Sequence, residues 1–279
     1  MTNNDDLDHL GYLMTGSLQN SALTAGLIPG GEPMDVTNPY TGDTIGSVIT
    51  VSAGDIDAVL DAAVAASKAM KELSGHDRAT LLERAAAACD AKVEELARLV
   101  VAEQGKTLTE ARGEASRLGP LLRYCAGEAR RIAGEVLPLD GSPGGEGRLG
   151  FTLRQPSGVV VAISPFNYPL LLVAHKVGPA LAGGNAVVVK PSSHTPLSAM
   201  AFLECMLEAG FPEASVQCVI GSGSVVGMRL SADERVRVVT FTGSASVGRE
   251  ITRAAGIKRL LLELGANCPV VIMPDADLY

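Results

Sequence analysis

The sequence predicts an α/β protein built on a doubly wound parallel sheet, and three observations carry that prediction. The stretch 158–191 reads strand, helix, strand: Val159-Val160-Val161-Ala162-Ile163 is too short for an ordinary helix, a helical stretch with Leu171, Leu172, His175, Val177 and Leu181 follows, and 186–189 is a second apolar run. Strands that are apolar on both faces belong to parallel βαβ units covered on both sides. The βα alternation then recurs four times in succession toward the end of the chain, as a doubly wound sheet requires. Composition agrees: 47% hydrophobic residues, 31 glycines, 4% aromatics and no Trp suit a Gly- and Ala-rich α/β protein better than an all-β one.

Taken in order, residues 1–33 lack sustained periodicity and end in Pro29-Gly30-Gly31, which predicts a loosely ordered extension. Asn38-Pro39-Tyr40-Thr41-Gly42-Asp43 is a turn between short strands, the second over 44–50. Ser52 or Asp55 can cap a helix whose stripe is Ile56, Val59, Leu60, Ala63 and Val64. A second helix is predicted over 77–104, with Cys89 on its apolar stripe. A third, rich in arginine, runs over 109–133 and should kink or break at Gly119-Pro120. Residues 134–156 change character: Asp140-Gly141-Ser142-Pro143-Gly144-Gly145 is a turn between two short strands, a hairpin arm with little core of its own. Beyond the central unit, Ser193 or Thr195 caps a helix to about Gly210. Strands are expected over 216–220, 236–242, 260–264 and 269–273.

The net charge of −8 without any basic block argues against nucleic acid as partner. No apolar run is long enough to span a bilayer, and 1–8 is polar and acidic, unlike a signal or transit peptide; a cytoplasmic protein is the expectation. The five cysteines are scattered without CxxC spacing, so neither a metal site nor a disulfide framework is suggested.

Chemistry is expected at the carboxyl ends of the strands, where ligands sit in such sheets. Asn167 and Lys190 are the polar residues that interrupt an otherwise apolar segment there. The glycine patterns are weak by themselves. Gly221-x-Gly223-x-x-x-Gly227 misses the usual dinucleotide spacing by one, and Gly243-x-x-x-x-Gly248-Arg249-Glu250 lacks the Lys and Ser/Thr of a nucleoside-triphosphate loop. Phe241-Thr242-Gly243-Ser244 places free amides and a hydroxyl at a helix start, which suits a pyrophosphate or an ordinary strand-to-helix turn.

Together the motifs are specific. Pro165-Phe166-Asn167-Tyr168-Pro169, Lys190-Pro191-Ser192, Phe241-Thr242-Gly243-Ser244 and Leu262-Glu263-Leu264-Gly265, in this order and spacing, resemble the aldehyde dehydrogenase superfamily. Glu103-Gln104-Gly105-Lys106-Thr107 and Pro274-Asp275-Ala276-Asp277 fit the same family, and the resemblance runs from about Asn38 to the last residue. It implies a Rossmann-like domain over 34–134 and 157–263 that binds NADP or NAD, a hairpin over 135–156 that joins subunits of a homo-oligomer, and the start of a catalytic domain, cut short, over 264–279. It further implies oxidation of a small aldehyde to a carboxylic acid through a cysteine thiohemiacetal and thioester.

In that family Asn167 matches the amide that donates to the thiohemiacetal oxyanion, and Glu263 the base that activates water, a task that favours apolar surroundings. Lys190 matches the residue on the adenosine ribose, Gly243 and Ser244 the pyrophosphate site. Ile163, Ser164, Pro165, Phe166, Ser192, Ser193, Gly223, Gly227, Phe241, Thr242, Leu264 and Gly265 complete the implied cofactor site. Ser193 stands where NAD-preferring relatives often place a glutamate; a serine there can donate to a 2′-phosphate, or merely cap the next helix. Arg117 matches a tunnel position that is arginine in relatives using phosphorylated aldehydes, and with Tyr168 it predicts a substrate bearing phosphate, phosphonate or carboxylate; alternatively Arg117 pairs with Glu114 or another acid on the helix face. The family nucleophile is expected a few tens of residues past Glu263, beyond Tyr279, and Cys268 lies too close to Glu263 to replace it. A chain of this extent is then expected to be inactive toward aldehydes by itself, and the second reading is a non-catalytic nucleotide-binding or scaffold module.

Overall fold

The computed structural model describes residues 31–52 and 54–277, so most of the extension expected over 1–33 lies outside the described residues. Strands β1 (Pro33–Thr37) and β2 (Thr44–Ile49) pair antiparallel. Asn38 shapes their turn, its side-chain oxygen accepting from the Tyr40 amide at 2.8 Å. Helix α1 (Ile56–Glu72) starts without a side-chain cap, because Asp55 turns back to accept from the Ser52 amide and hydroxyl at 2.8 and 2.7 Å.

Both long helices predicted next are broken. The first is α2 (Gly75–Ala91) and α3 (Val93–Gln104), parted at Lys92, where φ −106° and ψ 13° leave the helical region and the ammonium reaches Glu208 at 2.5 Å. The second is α4 (Leu108–Ala115) and α5 (Leu118–Arg131), and its break falls at Ser116 and Arg117, not at Gly119-Pro120. Pro120 sits in the first turn of α5, where an amide would have no intrahelical acceptor in any case. Gly119 allows close docking on α2: a Cβ there would lie 2.0 Å from Asp90 Oδ1.

The hairpin is present as β3 (Val136–Leu137) and β4 (Gly150–Phe151), with a 3₁₀ turn at Leu139–Gly141. Val136, Leu149, Phe151 and Leu153 are all exposed along it.

The sheet follows. Strands β5 (Val159–Ile163), β6 (Ala186–Lys190), β7 (Val216–Cys218), β8 (Val236–Thr242) and β9 (Arg259–Glu263) form one parallel sheet in the order β7-β6-β5-β8-β9. The chain winds outward from β5 through α6 (Leu171–Ala182), β6 and α7 (Pro196–Glu208) to β7. It then returns past β5, by way of α8 (Met228–Ala232), to β8, α9 (Ala245–Ala255) and β9. Alternation splits the core. Val160, Ala162, Val187 and Val189 pack toward α2–α7, whereas Val159, Val161, Ile163, Val188, Val239 and Phe241 pack toward α1, α8 and α9. The apolar run 269–273, predicted as a strand, forms none: past the edge strand β9 it has no strand to pair with among the described residues, and Val270, Val271, Ile272 and Met273 are exposed.

Candidate cofactor and active site

Winding reverses between β5 and β8, and the crevice beyond their carboxyl ends is where an open α/β sheet takes its ligand. Register sets a row of strand ends there: Lys190 on β6 faces Ile163 on β5, Ile163 faces Phe241 on β8, and Thr242 faces Glu263 on β9. Ser164, Pro165, Phe166 and Asn167 leave β5 on one side of the crevice, and Gly243 and Ser244 leave β8 on the other.

Lys190 is 4% exposed; its Nζ donates to the Pro191 carbonyl at 3.1 Å, and burial lowers its pKa. Gly227 lies along its methylenes, since a Cβ there would be 3.5 Å from Lys190 Cδ and 3.9 Å from Ile163 Cδ1. The extra residue in Gly221-x-Gly223-x-x-x-Gly227 is absorbed by a π turn, Gly223–Gly227, in which the Gly227 amide reaches back to the Ser222 carbonyl. Gly223 faces open space. Ser193 caps no helix; Thr195 occupies the N-cap of α7, and Ser193 Oγ donates to the Gly221 carbonyl at 3.2 Å. Donation to a phosphate therefore requires Ser193 to release Gly221. Ser192 Oγ accepts from the His194 amide, and Phe166 stands edge-on to the His194 ring.

Across the crevice, Ser244 caps α9 by accepting from the Val247 amide at 3.3 Å. The other first-turn amides have no acceptor within the helix. Gly243 donates to the Glu263 carbonyl at 3.1 Å, and a Cβ on it would meet the Phe241 ring at 2.5 Å. Leu264 packs on Gly248, where a Cβ would lie 2.6 Å from Leu264 Cδ2, and Gly265 beyond it is exposed. The residues fit a dinucleotide. Ser164 Oγ is buried in the crevice wall without a hydrogen-bond partner, Gly223 leaves room, and the helix start offers amides to a pyrophosphate.

Asn167 and Tyr168 lie in the exposed loop between β5 and α6. The Asn167 carbonyl accepts from Lys106 Nζ at 2.8 Å, and that ammonium sits 3.6 Å from the centre of the Tyr168 ring. Lys106 also pairs with Glu114 at 2.6 Å, and the other oxygen of Glu114 accepts from the Leu170 and Leu171 amides at 2.9 and 3.0 Å. Glu103 does the same for α7, accepting from the Leu197 and Ser198 amides at 2.6 and 2.9 Å and from the Ser198 hydroxyl.

Sequence reasoning overlooked Lys176. It is 7% exposed in α6, and its Nζ donates to Thr242 Oγ1 at 2.6 Å. Burial lowers its pKa to about 8, opposed by the nearby Glu263 carboxylate. A lysine amid Leu171, Val173, Ala174 and Val177 was the available signal. Its neighbour His175, expected on the apolar stripe, is exposed. Glu263 is not wrapped in apolar side chains as its expected role favours: Arg259, Leu261 and Glu263 form the exposed side of the edge strand. Arg117 is exposed at the α4–α5 break and forms no ion pair among the described residues, because Glu114 is held by Lys106. It lies near His175, whose pKa is lowered by partial burial, then by Arg117 and Lys176. Cys268 is exposed, and the other four cysteines are buried. No helix among the described residues is long and apolar enough to cross a membrane.

Residues 28–279 match the aldehyde dehydrogenase family. The chain is 43% identical to aspartate-semialdehyde dehydrogenase 1 of Pseudomonas canavaninivorans over 245 residues, 88% of this chain and 52% of that protein. It is 41% identical to 3-sulfolactaldehyde dehydrogenase of Priestia aryabhattai over 248 residues, 88% of this chain and 51% of that protein. It superposes with a TM-score of 0.83 on the NADP complex of the NADP-dependent glyceraldehyde-3-phosphate dehydrogenase from Bacillus halodurans C-125, at 37% identity over 89% of this chain and 52% of that one. The chain spans about half the length of the curated relatives it matches. With the doubly wound sheet and the strand-end residues in family order, these matches establish that the chain belongs to the aldehyde dehydrogenase family.

Proposed function

We propose that this chain is the dinucleotide-binding half of an enzyme that oxidises an anionic aldehyde to its acid, with NADP preferred or either cofactor used. The observation that carries this reading is the register row at the switch point, which sets Lys190, Ile163, Phe241 and Glu263 along one crevice with the Asn167 loop above it. Lys190 and Ser193 would hold the adenosine ribose and its substituent, the α9 start with Gly243 and Ser244 the pyrophosphate, and Ser164 to Phe166 the crevice wall. A bound nicotinamide supplies the hydride acceptor. Asn167 donates its amide to the oxygen on which negative charge develops, a contact worth about 2.7–4 kcal/mol. Glu263, at the exposed end of β9, takes the proton of the hydrolytic water.

The anionic substrate is supported by Arg117, whose guanidinium is left without a carboxylate partner among the described residues. The names of the relatives above agree: a semialdehyde of aspartate, a sulfolactaldehyde and a glyceraldehyde phosphate each carry an acid group. We assign the hairpin to subunit association and residues 264–279 to the start of a further domain.

Titration of NADPH and NADH fluorescence with this chain tests the reading. Saturable binding, tighter for NADPH and lost in Lys190→Ala and Gly227→Val, is the expected outcome. Absence of binding to either cofactor overturns the nucleotide site, and clearly tighter NADH binding overturns the preference.

A further inference from the structure

Lys106 and Glu114 lie on neither site strand, yet between them they hold the backbone of the Asn167 loop at three points. The Asn167 carbonyl takes the Lys106 ammonium, and one oxygen of Glu114 takes the Leu170 and Leu171 amides. The same ammonium lies over the Tyr168 ring. Both side chains are largely dehydrated, at 10% and 0% exposure. A buried ion pair is a poor source of net stability, because removing two charges from water offsets most of their attraction. What this pair does gain is geometry. It is itself held firmly: Gly105 ends α3 in the left-handed region with φ 79°, and Thr107 and Glu110 form a reciprocal capping box at the start of α4. Without Glu114 the amides of the buried Leu170 and Leu171 would have no acceptor.

We propose that Lys106 and Glu114 are a positioning pair: they fix the main chain on both sides of Tyr168 and so aim the Asn167 amide and the Tyr168 ring into the crevice. The aim, though not the grip, rests on the reading of Asn167 as the donor to developing negative charge. Neither residue touches substrate in this scheme, and both act through the loop.

Hydrogen exchange on this chain tests the grip. In Lys106→Met, and in the near-isosteric Glu114→Gln, the peptide spanning 166–172 should exchange about tenfold faster, with β5 and β8 unchanged. Unchanged loop exchange in both variants overturns the proposal. So does equal loss of protection throughout the sheet, which would make the pair a general support of the fold. Kinetics on the full-length protein test the aim. Lys106→Met should lower kcat about tenfold to a hundredfold at similar KM, and should cost nothing further when Asn167 is already alanine. Multiplying losses overturn the positioning role. Should Asn167→Ala leave kcat intact, the reading of Asn167 fails, while the exchange data still decide the grip.

Discussion

Lys176 Nζ donates a 2.6 Å hydrogen bond to Thr242 Oγ1, tying the helix that leaves the Asn167 loop to the end of β8 across the switch point. Burial holds its ammonium at about 8, below the 10.5 of a free lysine. The folded protein therefore loses this proton near pH 8, while the unfolded chain keeps it to about 10.5. Between those values the unfolded state binds more protons, so this group makes stability rise with pH. Urea midpoints measured from about pH 8 to about pH 10 should show that rise in the native chain relative to Lys176→Met. Identical pH profiles would refute it.

Glu103 gives the opposite slope. Burial pushes its carboxyl from 4.5 up to about 7, against the pull of the Ser198 hydroxyl and the Ser198 and Leu197 amides. Its folded pKa is raised, so its contribution is full below 4.5 and is lost as pH rises through about 7. Glu103→Gln should remove this part of the pH dependence. Glu103→Ala, which strips the α7 amides of their acceptor, should destabilise by about 1–3 kcal/mol in denaturant titrations.

Arg117 should discriminate between substrates. In the full-length protein, Arg117→Leu should raise KM about tenfold or more for an anionic aldehyde and little for a neutral one of similar size, the loss expected for a charge-assisted contact. An equal effect on both aldehydes would make Arg117 structural.

The hairpin offers a test by mass. Val136, Phe151 and Leu153 are 75%, 61% and 70% exposed on an arm too short to bury them itself. With the arm at the proposed subunit interface, Phe151→Asp should lower the sedimentation-derived mass while leaving the monomer's thermal transition in place. A native mass in that variant would remove the arm from the interface.

The doubly buried strands could be read directly, because a run such as Val159 to Ile163 has no other stable use than the interior of a covered parallel sheet. The helix breaks were hidden: apolar spacing continues through Lys92 and through Ser116 and Arg117, and the interruptions depend on where Lys92 finds Glu208 and how closely α5 docks at Gly119. Lys176 and His175 exchange the environments their residue types suggest, since packing on β5, β6 and α5 decides which side of α6 is covered. Glu103 and Glu114 were invisible as acceptors because their amide partners lie 94 and 56 residues further on. The 269–273 run has every local mark of a strand, yet a strand is defined by its neighbour.

The strand order also imposes a timetable on synthesis. Val159 must wait for Val236 before β5 gains its second neighbour, so β5 to β7 and their helices leave the ribosome first. During that interval β5, with Val159, Val160 and Val161, is an unprotected edge, its amides and carbonyls open to any passing strand. A nascent chain that stalls before β8 would display that edge to its siblings. Pausing of synthesis ahead of Val236 is thus expected to prolong the exposure of an edge that the finished sheet covers with β8.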